Sequence, residues 1–185
     1  MRKALNTLYQ AATALAACCL LIIATLVALQ VLGRIVDYLM TSAGLEPFRF
    51  QVPSLAEIAG FLLVGASFLA LAGTLRNNDH IRVSMLLQAV PAGVARLLNI
   101  WVIAIAFALA SFFTWNAAQL ALDSYKFSET SYGVIPVPLV YPQAVMTLGL
   151  LVFTISLLDD LIVALTGREP SFETVVKADA IEGKE

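Results

Sequence analysis

Four apolar stretches, at residues 11–36, 54–75, 95–120 and 141–165, constrain this chain more than any other feature. A helix of about 20 apolar residues crosses a hydrocarbon core of about 30 Å, and all four stretches reach that length. In hydrocarbon the backbone must satisfy its own hydrogen bonds, so each stretch is either a helix or part of a closed barrel. Barrel strands are segments of about 10 residues that alternate in polarity, which these do not. The expected fold is an all-α integral membrane protein with four transmembrane helices in residues 1–170, followed by a charged cytoplasmic tail at 171–185. Pro53-Ser54 and Pro142 suit helix starts, and Gly167 with Pro170 suits a stop.

Composition agrees. The chain is 60% hydrophobic and 13% charged, where a soluble domain has about 25% charged residues. No basic cluster is large enough to bind nucleic acid. Cys18 and Cys19 are adjacent and have no further cysteine to pair with, so they read as small apolar helix residues. "LAAC" at 15–18 has the look of a lipoprotein cleavage box. However, Asn6, Thr7, Gln10 and Thr13 interrupt the stretch before it, and the sequence after it stays apolar to Val31. The reading is an uncleaved first span.

Orientation follows from the basic residues. One side of the membrane would carry Arg2, Lys3, Arg76, Arg82, Arg96, Arg168, Lys177 and Lys184; the other would carry only Arg34, Arg49 and Lys126. Excess Lys and Arg stays in the cytoplasm, so both termini are expected inside and the loops at 37–53 and 121–140 outside.

Charges in or near the spans are the candidate functional residues, because each costs about 2.5–3.5 kcal/mol at a helix centre and less near its ends. Arg34 ends the first span and Glu57 begins the second, at similar depth near the outer interface. They can form a structural ion pair directly, or meet through a lipid head group. Alternatively, Glu57 is a coupling carboxylate for protons or ions. Gly60, Ser67 and Thr74 form a heptad stripe with Ala56 beside it, which suggests that Glu57 points toward a packed helix. Asp159 and Asp160 lie late in the fourth span, where acids oppose the helix dipole. Arg76 and Arg96 are at the matching cytoplasmic depth, so a pairing is expected there.

Several chemistries lack their residues. There is one histidine, so no bis-histidine haem site. No Cys/His/Asp/Glu set has metal-ligand spacing, no Gly-rich phosphate loop follows a strand, and no nucleophile triad can be built around His80. No enzyme and no cofactor is expected. "TLRNNDHIRVSMLLQ" (74–88) concentrates polarity between the second and third spans. It reads as a turn followed by a short cytoplasmic interfacial helix ended by Pro91 and Gly93, with Arg82 on anionic phospholipid head groups.

Three stretches in order carry a family resemblance: "VLGRIVDY" (31–38), "PSLAEIAGFLLVGASFLALAGTLRNNDHIRVSML" (53–86) and "ETSYGVIPVPLVYPQAVMTLGLLVF" (129–153). With these the chain resembles the small membrane subunit, DctQ-type, of tripartite ATP-independent periplasmic (TRAP) transporters. "GTLRNNDHIRVSML" is the most specific piece. The chain departs from the family pattern at Ser54-Leu55 and at Leu139, where a Trp is common. The resemblance implies a bacterial inner-membrane scaffold without catalysis. Its partners would be a large polytopic membrane subunit, which holds the substrate and sodium sites for organic anions, and a periplasmic substrate-binding protein. Docking of that protein would fall to outer-loop charges: Asp37, Glu46 and Arg49 in one loop, Asp123, Lys126 and Glu129 in the other. Two other readings are an autonomous homodimeric exporter coupled through Glu57, and an anchor for an unrelated complex.

Overall fold

The computed structural model describes residues 2–76 and 92–166. Four helices account for most of them: α1 (Arg2–Ser42), α2 (Leu55–Arg76), α3 (Ala92–Lys126) and α4 (Val140–Leu165). Each is long and apolar enough to cross a membrane, as the sequence predicts. The expected interfacial helix at residues 80–90, with His80 and Arg82, lies outside the described residues, as does the tail.

The helices stand in a row rather than a closed bundle. α1 packs on α2, α2 on α4 and α4 on α3, while α1 barely meets α4. Burial follows this order: 28% and 44% of the apolar windows of α2 and α4 are buried, against 6% and 11% for the edge helices α1 and α3. One core joins Tyr9, Ala12 and Ala16 of α1 to Ala66, Leu69 and Ala72 of α2, with Val152 of α4. A second joins Leu75, Ala110 and Leu157, and a third Ile103 and Ala164.

Small residues set the spacing. Without a hydrophobic force between helices in lipid, close van der Waals contact holds them together, and this requires small side chains at the seam. A Cβ on Gly149 would stand 2.6 Å from the backbone carbon of Phe68 and 2.9 Å from the nitrogen of Leu69, so α2 and α4 meet backbone to backbone. Gly65 faces Val145, and Gly73 faces the Thr13 hydroxyl. The seam of α2 is thus Gly65, Ala66, Leu69, Ala72 and Gly73. Of the expected stripe of Gly60, Ser67 and Thr74 with Ala56 beside it, Ala56, Gly60 and Ser67 are instead exposed and Thr74 is half-buried, and nothing lies within 4 Å of where a Cβ on Gly60 would be. The contacting stripe is rotated around the helix from the one the heptad spacing suggests.

Polar side chains within the helices fold back on their own backbone. The hydroxyls of Thr13, Thr25, Ser67, Ser111, Thr114 and Thr147 each donate to the carbonyl four residues earlier. This satisfies them without water. Thr114 also reaches Thr154 across the α3–α4 seam at 2.9 Å.

The contacts fix the register of the helices along the row. Ala110 of α3 is level with Leu75, near the end of α2, yet the uncharged stretch of α3 begins 13 residues earlier, at Leu97. At 1.5 Å per residue it runs about 20 Å past the end of α2. α3 and the 41-residue α1 therefore both extend well beyond the length of α2.

Gly149→Ala should force α2 and α4 apart at a cost of about 1–3 kcal/mol, seen as a thermal midpoint several degrees lower for the detergent-solubilised chain. Gly60→Ala, made in the open, should leave that midpoint unchanged.

Candidate functional site at the loop end

One end of the row carries two loops, residues 43–54 and 127–139, and holds most of the charges the sequence singles out. The first loop doubles back along α1. The Asp37 carboxylate accepts from the Arg49 backbone N–H at 2.9 Å, and Gln30 Oε1 accepts from Val52 N–H at 3.2 Å. Between them Phe50 lies on Gly33, where a Cβ would come within 2.9 Å of the ring. Arg49 and Ser54 take φ values of 55° and 54°, left-handed backbone that non-glycine residues adopt uncommonly. Gln30 is thus the acceptor that closes this loop.

The second loop is pinned along its length. Ser124 donates to Glu129 Oε2 at 2.6 Å, and Leu139 N–H donates to the Glu129 carbonyl at 3.0 Å. Thr130 and Pro138 form an antiparallel bridge. Ser131 N–H donates to the Val137 carbonyl at 2.9 Å, and Val137 N–H donates back to the Ser131 hydroxyl at 3.0 Å. Ser124 and Ser131 are both buried.

The two loops meet over the start of α2. The Ser54 hydroxyl accepts from Ile135 N–H at 3.0 Å, while the Ser54 carbonyl accepts from the N–H groups of Glu57 and Ile58. The Glu57 carboxylate lies against Gly133, where any Cβ would overlap it. Glu57 Oε2 is buried and takes no hydrogen bond. The carboxylate therefore faces the apex of the second loop, not a packed helix. Arg34 is exposed, and among the described residues no ion pair joins it to Glu57.

The remaining charges divide clearly. Glu46 and the Arg49 side chain are exposed. Asp123 and Lys126 form an exposed pair at 3.7 Å, one helical turn apart. At the opposite end of the row Asp160 is buried and Asp159 half-buried, and both have partners. Arg96 is exposed. It precedes Ile103, the residue level with Ala164, by seven positions. That register sets it about 16 Å along the helix axis from Asp160, too far for a direct pair. The Arg76 side chain lies outside the described residues.

Sequence reasoning missed Ser54, Gly133 and Ser131, which carry no charge. A glycine among Pro136, Pro138 and two serines was the available signal, because such a segment reads as a built turn.

Chemically this is an interlocked surface rather than a reaction centre. Among the described residues no three His, Cys, Asp or Glu side chains stand close enough to hold a metal ion. A half-open groove of about 280 Å³ lies between α1, α2 and α4, lined by Cys19, Phe61, Leu62, Tyr141 and Val145 among others, with no charged residue in its wall. Such a groove offers nothing to a small organic anion.

A sequence profile of tripartite ATP-independent periplasmic transporters, DctQ component, matches residues 23–167. The chain belongs to this family. It is the small membrane component of a TRAP transporter and a multi-pass membrane protein, and such a component works with a large membrane subunit and a substrate-binding protein. No curated protein and no solved structure matches it.

In this DctQ component Ser124→Ala removes the buried anchor of Glu129. It should loosen the second loop by about 1 kcal/mol, seen as faster amide hydrogen exchange in residues 127–139. Asp123→Asn breaks only an exposed pair and should leave exchange there unchanged.

Proposed function

We propose that this chain is the non-catalytic scaffold of a sodium-driven importer of organic anions. It would pack beside the large membrane subunit and help to dock the substrate-binding protein. The observation that carries this reading is the row itself. A layer one helix thick cannot enclose an aqueous path, and its groove is apolar. A transporter component built this way needs a second chain to form the path, and it offers that chain two broad apolar faces.

The excess of Lys and Arg at the other end supports placing the loop end outside a bacterial inner membrane, with both termini in the cytoplasm. Residues 1–170 then form the membrane domain and 171–185 the tail, and Arg34 and Arg82 are the candidates for phospholipid head groups. Asp159 and Asp160 would be neutralised by Arg76. The docking charges are best narrowed to Glu46, Arg49, Asp123 and Lys126, since the Asp37 and Glu129 carboxylates are already used inside their own loops.

One observation favours the autonomous exporter: Glu57 Oε2 is buried without a hydrogen bond. The carboxylate, however, faces a loop at the edge of the membrane rather than a path through it.

Capture of the tagged chain from native membranes in mild detergent should recover a larger polytopic membrane protein in equal amount, identified by mass spectrometry. Proteoliposomes holding the chain alone should show no substrate flux. Flux from the chain alone, abolished by Glu57→Gln, would establish the exporter instead. In the complete system Glu46→Lys with Lys126→Glu should lower uptake several-fold without loss of assembly.

A further inference from the structure

Tyr132 and Val134 are hard to explain by folding alone. Tyr132 is wholly exposed and Val134 is 83% exposed, although both belong to the most heavily tied segment of the loop end. Loops that are pinned at many points usually direct their apolar side chains inward. Here Ser131 is buried and Val137 lines the groove, while Tyr132 and Val134 face outward.

We infer that the apex of the second loop, Tyr132 and Val134, is the surface on which this chain receives the substrate-binding protein, with Ser54, Glu57 and Gly133 as positioning residues. The inference rests on the docking role proposed above and names the element that performs it.

Three observations support it. The first is rigidity. Glu129, Thr130 and Ser131 are tied to Leu139, Pro138 and Val137, and Ile135 is tied to Ser54. An apex held this way loses little entropy on binding, so each contact contributes more to affinity. The second is side-chain type. A tyrosine on a rigid loop offers large area and a polar tip with few rotors, and tyrosine is enriched among residues that dominate protein contacts. The third is location. The apex sits over the start of α2, an inner helix of the row, on the side facing away from the apolar helix surfaces. Of the two partners of a DctQ component, the large subunit lies alongside in the bilayer. The substrate-binding protein is the one that approaches from beyond the loop end.

Glu57 and Gly133 act through the apex rather than on the partner. The carboxylate rests where a Cβ at position 133 would be, and the Ser54 hydroxyl is 3.0 Å from that point. Any side chain at 133 must lift the apex off α2 or displace the carboxylate.

The test uses the complete membrane complex in nanodiscs of phosphatidylethanolamine and phosphatidylglycerol, titrated with purified, substrate-loaded binding protein. Tyr132→Ala combined with Val134→Ser should weaken binding at least tenfold while complex yield stays constant. Gly133→Val should cause a similar loss although both contact side chains remain. Unchanged binding in both variants, with a loss in Glu46→Lys and Lys126→Glu, would overturn the apex and leave the docking role standing. Equal binding to the large subunit alone would overturn the docking role itself. A bimane label on Tyr132→Cys should shift to the blue only when binding protein is added. A label already blue in the nanodisc would assign the apex to lipid.

Discussion

The backbone contact of α2 with α4 at Gly149 holds the two halves of this protein together. α1 is attached to the row almost wholly through α2, and α3 almost wholly through α4. The seam between the inner helices is therefore the joint between two helical hairpins. Lipid is as apolar as leucine, so the joint cannot depend on driving apolar surface out of water. It depends on distance. Gly149 lets the backbones approach at Phe68 and Leu69, and Gly65 with Val145 continues the contact toward the loop end. The same joint brings the start of α2 beneath the 127–139 loop. Without that alignment Ser54 and Glu57 would have no loop to meet, so the interlock at one end depends on packing at mid-depth.

What was legible in the sequence, and what was not, divides along one physical line. Depth is a one-dimensional property, and hydrocarbon imposes it directly. The four spans, the early position of Glu57 in α2 and the late position of Asp159 and Asp160 in α4 could all be read. Azimuth was not legible. In a soluble protein the buried face of a helix is apolar and the exposed face polar, so periodicity reveals which side packs. Here both faces are apolar, and the pattern carries no phase. The stripe of Ala56, Gly60 and Ser67 was thus as good a candidate seam as the one containing Gly65, Ala66 and Gly73, and the contacts chose the latter. The pairing of Arg34 with Glu57 was inferred from equal depth, which says nothing about which way either side chain points. Arg96 illustrates a related limit: its depth was judged from its own helix, and the register of α3 on α4 sets it about 16 Å along the axis from Asp160.

The shape of the row bears on the division of labour in a tripartite transporter. A closed bundle hides most of its surface within itself. A single layer keeps two large faces, and in α1 no residue from Ala17 to Ser42 is fully buried. In water such a surface would drive aggregation. In a bilayer it costs little, and it can be covered by lipid or by another apolar protein surface with small change in free energy per unit area. Assembly with a large subunit then rests on fit, and a rigid layer with small residues such as Gly60 and Ser67 on its open face suits close approach.

The loop end shows how charge and contact are separated in this chain. Two of the carboxylates that sequence alone presents as docking groups, Asp37 and Glu129, each bind a group within their own loop. A carboxylate is well suited to that task. It accepts several hydrogen bonds at once, and charge-assisted bonds are roughly twice as strong as neutral ones, so one side chain can order a turn that has no regular structure. Tyr132 and Val134 are among the apolar side chains this loop leaves exposed, and Glu46, Arg49, Asp123 and Lys126 are exposed charges of the same end. The structural work of the loop thus falls largely to buried serines and to the Glu129 carboxylate, and Tyr132 and Val134 carry none of it.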